Sequence, residues 1–239
     1  MIPKKIHYCW FGRGEKPASV QKCIESWKKF CPDYEIIEWN EDNFDIHCMP
    51  YTQQAYSAKK YAFVSDVARL IIVYKYGGIY LDTDVELIKS PDPLLSNTSF
   101  MGFETDLYVA SGLGFGSEAG IEFFKEHIDQ YKDKKFIFDD GSYNLKGCPK
   151  YATELLLEKG LVANGKEQTV AGVHIYPAEY FNPYDSITGK MNKTKNTYSV
   201  HWYDASWSDT SAAKLKIKRT IRRLLGKTLS EKIRKTLGN

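Results

Sequence analysis

Two carboxylates one residue apart, set inside an apolar run, constrain this chain more than any other feature. The stretch is YKYGGIYLDTDVEL, residues 74–87, with Asp82 and Asp84 as the pair. In an extended strand, residues i and i+2 face the same way, so the sequence alone predicts two like charges side by side. Something must compensate them. Carboxylates facing one way suit a hard divalent cation, and two protein ligands suit one that also binds substrate phosphates. The ordinary alternative is one solvated aspartate and one that caps a turn.

The residues before the pair narrow the choice. In YAFVSDVARLIIVYKY, residues 61–76, apolar side chains cover nearly the whole circumference, which predicts a mostly buried helix. Asp66 and Arg69 lie three apart on one of its faces and can meet there. They form either an internal ion pair or a pair whose remaining hydrogen-bonding capacity faces a polar ligand. The planar guanidinium suits sugar hydroxyls or phosphates. Gly77-Gly78 is expected to cap the helix at its C-terminus.

Around this centre, strands are expected at 2–11, 34–39, 79–81, 85–88, 99–103, 109–115 and 173–176. Helices are expected at 19–31, within 56–76, and at 118–131 and 151–159. The alternation predicts an α/β fold around a mainly parallel sheet. The division expected is a catalytic domain over 1–212 and an appendage over 213–239.

The appendage differs chemically from the body. From Ala213 onward there are ten Lys or Arg and one Glu, a net of +9 in a chain whose total is +3, which leaves −6 for the rest. Ile217, Ile221, Leu224 and Leu225, then Leu229, Ile233 and Leu237, recur at three- and four-residue intervals. Such basic amphipathic helices can lie on an anionic membrane surface, or pack on the catalytic domain with a solvated basic face. Nucleic acid is not expected as a partner, because no aromatic residues interleave the charges. The start, MIPKKIHYCWFG, has no apolar region of a secretory signal, and no run is long enough to span a bilayer. Five cysteines without a C-x-x-C pair are expected as free thiols, in keeping with a cytoplasmic setting at the inner membrane face.

Three blocks occur in order: IPKKIHYCWFG near the start, SDVARLIIVYKYGGIYLDTDVE in the middle, and HWYDASW at 201–207. Together they resemble the family 32 glycosyltransferases, the DXD sugar-binding group, which includes bacterial capsule and lipopolysaccharide enzymes and yeast initiating mannosyltransferases. The group is similar to the glucosyltransferase domain of large clostridial toxins. The resemblance spans about residues 1–210. It implies a GT-A fold, a nucleotide-sugar donor (UDP-hexose or UDP-N-acetylhexosamine), Mn2+ or Mg2+, and transfer with retention to a glycan or lipid-linked saccharide acceptor.

Carried over by motif, Trp10 would stack on the nucleobase, and Asp66 and Arg69 would hold donor-sugar hydroxyls, Arg69 also nearing the diphosphate. Tyr80 would lie along the nucleoside. Asp82 would contact ribose and metal-bound water, and Asp84 would ligate the metal. His201 is the expected third metal ligand, although the toxins place an acidic residue near that position. Ser206 and Trp207 would reach the metal or the β-phosphate. Ser111-Gly112 would border the transferred sugar. GCPKYAT, 147–153, faintly echoes a T-G-P segment of the family, and His7 is expected as a satisfied core histidine. Asp82, Asp84 and Arg69 are the catalytic candidates, with no residue assigned as a base. The alternatives weighed are a sugar-nucleotide nucleotidyltransferase, for which the G-x-G-T-R loop is missing from GRGEKP, and a non-catalytic membrane-surface adaptor.

Overall fold

The computed structural model describes residues 1–186 and 188–204; the appendage over 213–239 lies outside the described residues. The first strand, β1 (Lys5–Cys9), leads through α1 (Ala18–Phe30) to β2 (Glu35–Trp39). Helices α2 (Pro50–Ser57) and α3 (Tyr61–Tyr76) precede β3 (Gly78–Tyr80) and β4 (Val85–Leu87). Then come β5 (Ser99–Thr105), β6 (Tyr108–Ala110), β7 (Phe115–Ser117), α4 (Glu122–Asp129) and α5 (Cys148–Glu158). Strands β8 (Gln168–Val170), β9 (Val173–Tyr176) and β10 (Ser199–His201) complete the described chain.

The main sheet runs β2-β1-β3-β7-β5-β9-β8, with β6 on the flank of β5. Strands β2, β1, β3, β5 and β9 point the same way, while β7, β8 and β6 oppose them. The sheet is therefore mainly parallel in direction, as the alternation predicted. Helix α3 is the centre of one core cluster, which also takes in residues of α2, α4 and α5; a second cluster gathers α1, the start of the chain and β4. Helices and a small second sheet thus cover the main sheet.

Two expectations change. The run 109–115 is not one strand: it turns at Ser111–Leu113 between β6 and β7. Asp82 and Asp84 do not lie in a strand either. After β3 the chain leaves the main sheet, the Val85 N–H donates to the Asp82 carbonyl at 3.0 Å, and β4 joins a separate two-stranded sheet with β10. The pair is brought together by a turn, not by the pleat.

The glycines after α3 make that course possible. Gly77 (φ 62°) ends α3, its N–H donating to the Val73 carbonyl at 2.8 Å. Gly78 has φ 106°, and a Cβ there would stand 2.9 Å from His7 Nε2, so only glycine fits. His7 is the satisfied core histidine that was expected. It is fully buried, its Nε2 donates to the Gly77 carbonyl at 2.8 Å, and its Nδ1 accepts from Trp39 Nε1 at 3.1 Å.

Candidate active site

The ends of β1 and β3, the start of α3, the turn after β6, the N-terminus of α5 and the end of β10 surround a cleft of about 830 Å³. Its lining includes Trp10, Asp66, Arg69, Asp82, Asp84 and His201. Six expected residues, drawn from three separate sequence blocks, therefore meet at one place.

Arg69 is the hub. It is 3% exposed. Its Nη2 lies 2.9 Å from Asp66 Oδ1 and 3.1 Å from Asp82 Oδ1. Its Nη1 donates to Asp82 Oδ2 at 3.3 Å and to Cys148 Sγ at 3.8 Å, and its Nε donates to the Ser65 carbonyl at 3.0 Å. The Tyr80 ring lies beneath, with its centroid 5.0 Å from the guanidinium carbon. All of the guanidinium nitrogens thus face acceptors of the protein itself. The sequence left open whether Asp66 and Arg69 pair internally; they do, and Arg69 also neutralises Asp82. Burial raises the Asp66 pKa, against the pull of Arg69 and of the backbone N–H of Cys148, the first residue of α5.

Asp84 has a different partner. Strand β10 pairs with β4 so that His201 stands opposite Val85. The Trp202 N–H donates to the Asp84 carbonyl at 2.9 Å, and the Asp204 N–H donates to Asp84 Oδ2 at 3.0 Å. His201 Nε2 lies 3.1 Å from Asp84 Oδ1. The segment that begins HWYD is thereby fastened to the second aspartate.

Charge follows this geometry. Burial, reinforced by the neighbouring Asp84 charge and opposed by Arg69, pushes the Asp82 carboxyl up to about 6. Burial acts the same way on Asp84, but the His201 charge and hydrogen bond outweigh it and hold Asp84 below the usual carboxylate range. Burial alone would lower the His201 pKa; the Asp84 carboxylate outweighs it and raises that pKa.

Asp82, Asp84 and His201 each offer one ligand atom, and these lie within 4.8 Å of one another. His201 Nδ1 is buried without a hydrogen-bond partner. Two carboxylate oxygens and an imidazole nitrogen at such spacing are a fitting donor set for Mn2+, and with substrate oxygens for Mg2+.

Two expected residues sit differently. Tyr80 is 1% exposed and lies beneath the cleft, outside its lining; its hydroxyl donates to Asp82 Oδ1 at 3.1 Å. Its place in β3, between β1 and β7, turns the ring into the core. Ser111 is fully buried and also off the lining. Its neighbour Gly112 reaches the wall instead, where a Cβ would stand 2.7 Å from Asp82 Oδ2. Ser206 and Trp207 lie outside the described residues.

The cleft also contains Tyr61 and Glu104, for which the sequence held no sufficient signal, and Tyr203 from the HWYDASW block. Gly147 and Cys148, from the faint GCPKYAT echo, stand on its wall as well. Trp10 is half-buried at the rim, its Nε1 donating to the Gly14 carbonyl at 2.7 Å.

Known proteins share parts of this chain's sequence and fold. A family model described as "Glycosyltransferase sugar-binding region containing DXD motif" matches residues 17–101. Inositol phosphoceramide mannosyltransferase 3 of Schizosaccharomyces pombe is 40% identical over 101 residues, covering 39% of this chain and 27% of that protein. Mannosyl phosphorylinositol ceramide synthase CSH1 of Saccharomyces cerevisiae is 30% identical over 142 residues, covering 56% of this chain and 36% of that protein. The chain thus spans well under half the length of these relatives. Among solved structures, PaToxG glycosyltransferase superposes with a TM-score of 0.51 at 17% identity, over 66% of this chain and 70% of that one. That likeness is one of fold.

Proposed function

We propose that this chain, whose residues 17–101 carry the sugar-binding region of the DXD glycosyltransferases of the family 32 type, is a metal-dependent glycosyltransferase. It moves a sugar from a nucleotide-sugar to a hydroxyl of a glycan or a lipid-borne acceptor. The single observation that carries the reading is the Asp82, Asp84 and His201 cluster on the wall of a cleft of about 830 Å³. The cleft has room for a nucleotide-sugar.

In this reading Asp82, Asp84 and His201 hold the divalent cation. When bound, such a cation offsets the negative charge that develops on a departing diphosphate. Trp10 stacks on the base at the rim. Arg69 and Tyr80 hold Asp82 in place, and Asp66 ties the same guanidinium to the start of α5. Transfer proceeds with retention. The acceptor oxygen bonds to the anomeric carbon on the face from which the diphosphate leaves with the bonding electron pair. The hydroxyl proton passes to the departing phosphate oxygen, so no side chain acts as nucleophile.

A place in capsule or lipopolysaccharide assembly is one destination for such a transfer. One matched relative is named an inositol phosphoceramide mannosyltransferase and another a mannosyl phosphorylinositol ceramide synthase, so GDP-mannose belongs beside the UDP-hexoses as a candidate donor. The basic segment at 213–239 attaches the enzyme to the inner face of the cell membrane, where lipid-borne acceptors are presented. Mn2+-dependent hydrolysis of UDP-glucose, UDP-galactose, UDP-N-acetylglucosamine and GDP-mannose tests the central reading. Turnover of one donor, abolished by chelation, is expected; metal-independent turnover, or none with any donor, removes it.

A further inference from the structure

We propose that Glu104 is the acceptor-binding residue of the cleft, receiving a hydrogen bond from the hydroxyl that attacks the donor. The inference rests on the transferase reading above.

Four acidic side chains line the cleft: Asp66, Asp82, Asp84 and Glu104. Three of them lie against a cationic partner. Asp66 and Asp82 contact Arg69, and Asp84 contacts His201. Glu104 has no ion pair among the described residues. Its hydrogen bond there comes from an uncharged donor: the Tyr203 hydroxyl donates to Glu104 Oε1 at 3.1 Å. The second carboxylate oxygen keeps its full accepting capacity. A carboxylate with unspent lone pairs in a polar cleft is a natural receiver of a hydroxyl.

The surroundings hold Glu104 still. It is the last residue but one of the long strand β5, and Asn182 Nδ2 donates both to its backbone carbonyl at 2.9 Å and to the Tyr203 hydroxyl at 2.8 Å. Tyr203 takes the left-handed conformation, φ 53°, with its ring 4.0 Å from that of His201. A non-glycine residue in that region is uncommon and persists where the surroundings over-determine it. Strand, amide and phenol together fix a carboxylate beside the metal-binding cluster without making it part of that cluster, which contains Asp82, Asp84 and His201 alone among the described residues. Glu104 orients the attacking oxygen; the bond changes are those already given.

Water can stand in for the acceptor, so donor hydrolysis reads the effect without knowledge of the natural acceptor. The test compares the full chain with Glu104→Gln and Glu104→Asp, using Mn2+ and whichever of the four donors the unaltered protein hydrolyses fastest. Glu104→Gln is expected to lower kcat about tenfold to hundredfold, the loss of one charge-assisted hydrogen bond. The donor KM and the Mn2+ affinity, read from the electron paramagnetic resonance signal of free Mn2+, should not change. Glu104→Asp, which keeps the charge but shortens the reach, should recover part of kcat. An unchanged kcat in Glu104→Gln overturns the inference. So does a raised donor KM, which puts Glu104 on the donor side, or weakened Mn2+ binding, which makes it a ligand. If the unaltered protein hydrolyses no donor, the transferase reading itself falls, and the inference falls with it.

Discussion

His201 and Asp84, far apart in the sequence, face each other at 3.1 Å because β10 pairs with β4. In the absence of metal, this contact and the Asp204 N–H hold the second aspartate of the DXD turn. Asp84→Ala removes a ligand and both contacts at once. The expected result is loss of Mn2+ binding and of donor turnover by at least about a hundredfold, with circular dichroism and thermal unfolding showing an intact fold. Near-normal turnover in that variant would remove Asp84 from the metal site.

The same residues predict how stability responds to pH in metal-free protein. His201 has a raised folded-state pKa, so its contribution is complete below the unfolded value of 6.5 and fades as pH rises through the folded one. Asp82, raised to about 6, is favoured in its neutral form, and that contribution also fades as pH rises, from 3.8 through about 6. Asp84 is lowered, so its contribution is present above 3.8 and is lost only on acidification. Metal-free Tm should therefore fall through these groups as pH rises, from 3.8 through about 6 with Asp82 and above 6.5 with His201. Added Mn2+ competes with protons for Asp82 and His201, so its stabilising increment should grow over the same interval. Thermal scans with and without Mn2+ measure both, and an increment that shrinks with rising pH contradicts the assignment.

Arg69→Ala is expected to act on stability as well as on turnover. It leaves Asp66 and Asp82 buried and uncompensated, a loss of about 3–5 kcal/mol for a buried pair broken on one side. Arg69→Lys should recover part of it, since a lysine keeps the charge but cannot span both carboxylates in the same plane. Urea denaturation of the three proteins gives the order. Equal midpoints for Arg69→Ala and the unaltered chain would show that Arg69 does not hold the site together.

Trp10 sits at the rim, so its removal should spare the fold. Trp10→Ala is expected to weaken nucleotide affinity by roughly 1–3 kcal/mol, the range for base–aromatic stacking, while unfolding transitions stay in place. Isothermal titration with UDP and GDP in the presence of Mn2+ measures this. Unaltered affinity for both nucleotides would place the base elsewhere.

Removal of 213–239 should reduce co-sedimentation with anionic vesicles and leave donor hydrolysis intact. Salt should weaken the attachment of the full chain, because screening shortens the reach of its charges. Unchanged vesicle binding together with a lowered Tm would instead make the segment a structural part of the domain.

Much of this protein is determined by sequence periodicity and local chemistry. The apolar circumference of 61–76 dictates a buried helix, Gly77-Gly78 must end it, and the alternation of helices and strands dictates a mainly parallel α/β sandwich. The spacing of Asp66 and Arg69 already places them on one helical face. Tertiary structure decided what the local pattern cannot encode. That Arg69 spans two aspartates depends on where β3 sends the chain after Tyr80. That Asp82 and Asp84 occupy a turn depends on β4 leaving the main sheet for β10. Tyr80 is buried because its strand is interior, and Glu104 and Gly112 reach the cleft because β5 and the turn after β6 end there. Hydrophobic pattern specifies which face of an element is covered; only the packed register of distant strands specifies which charged side chains meet across it.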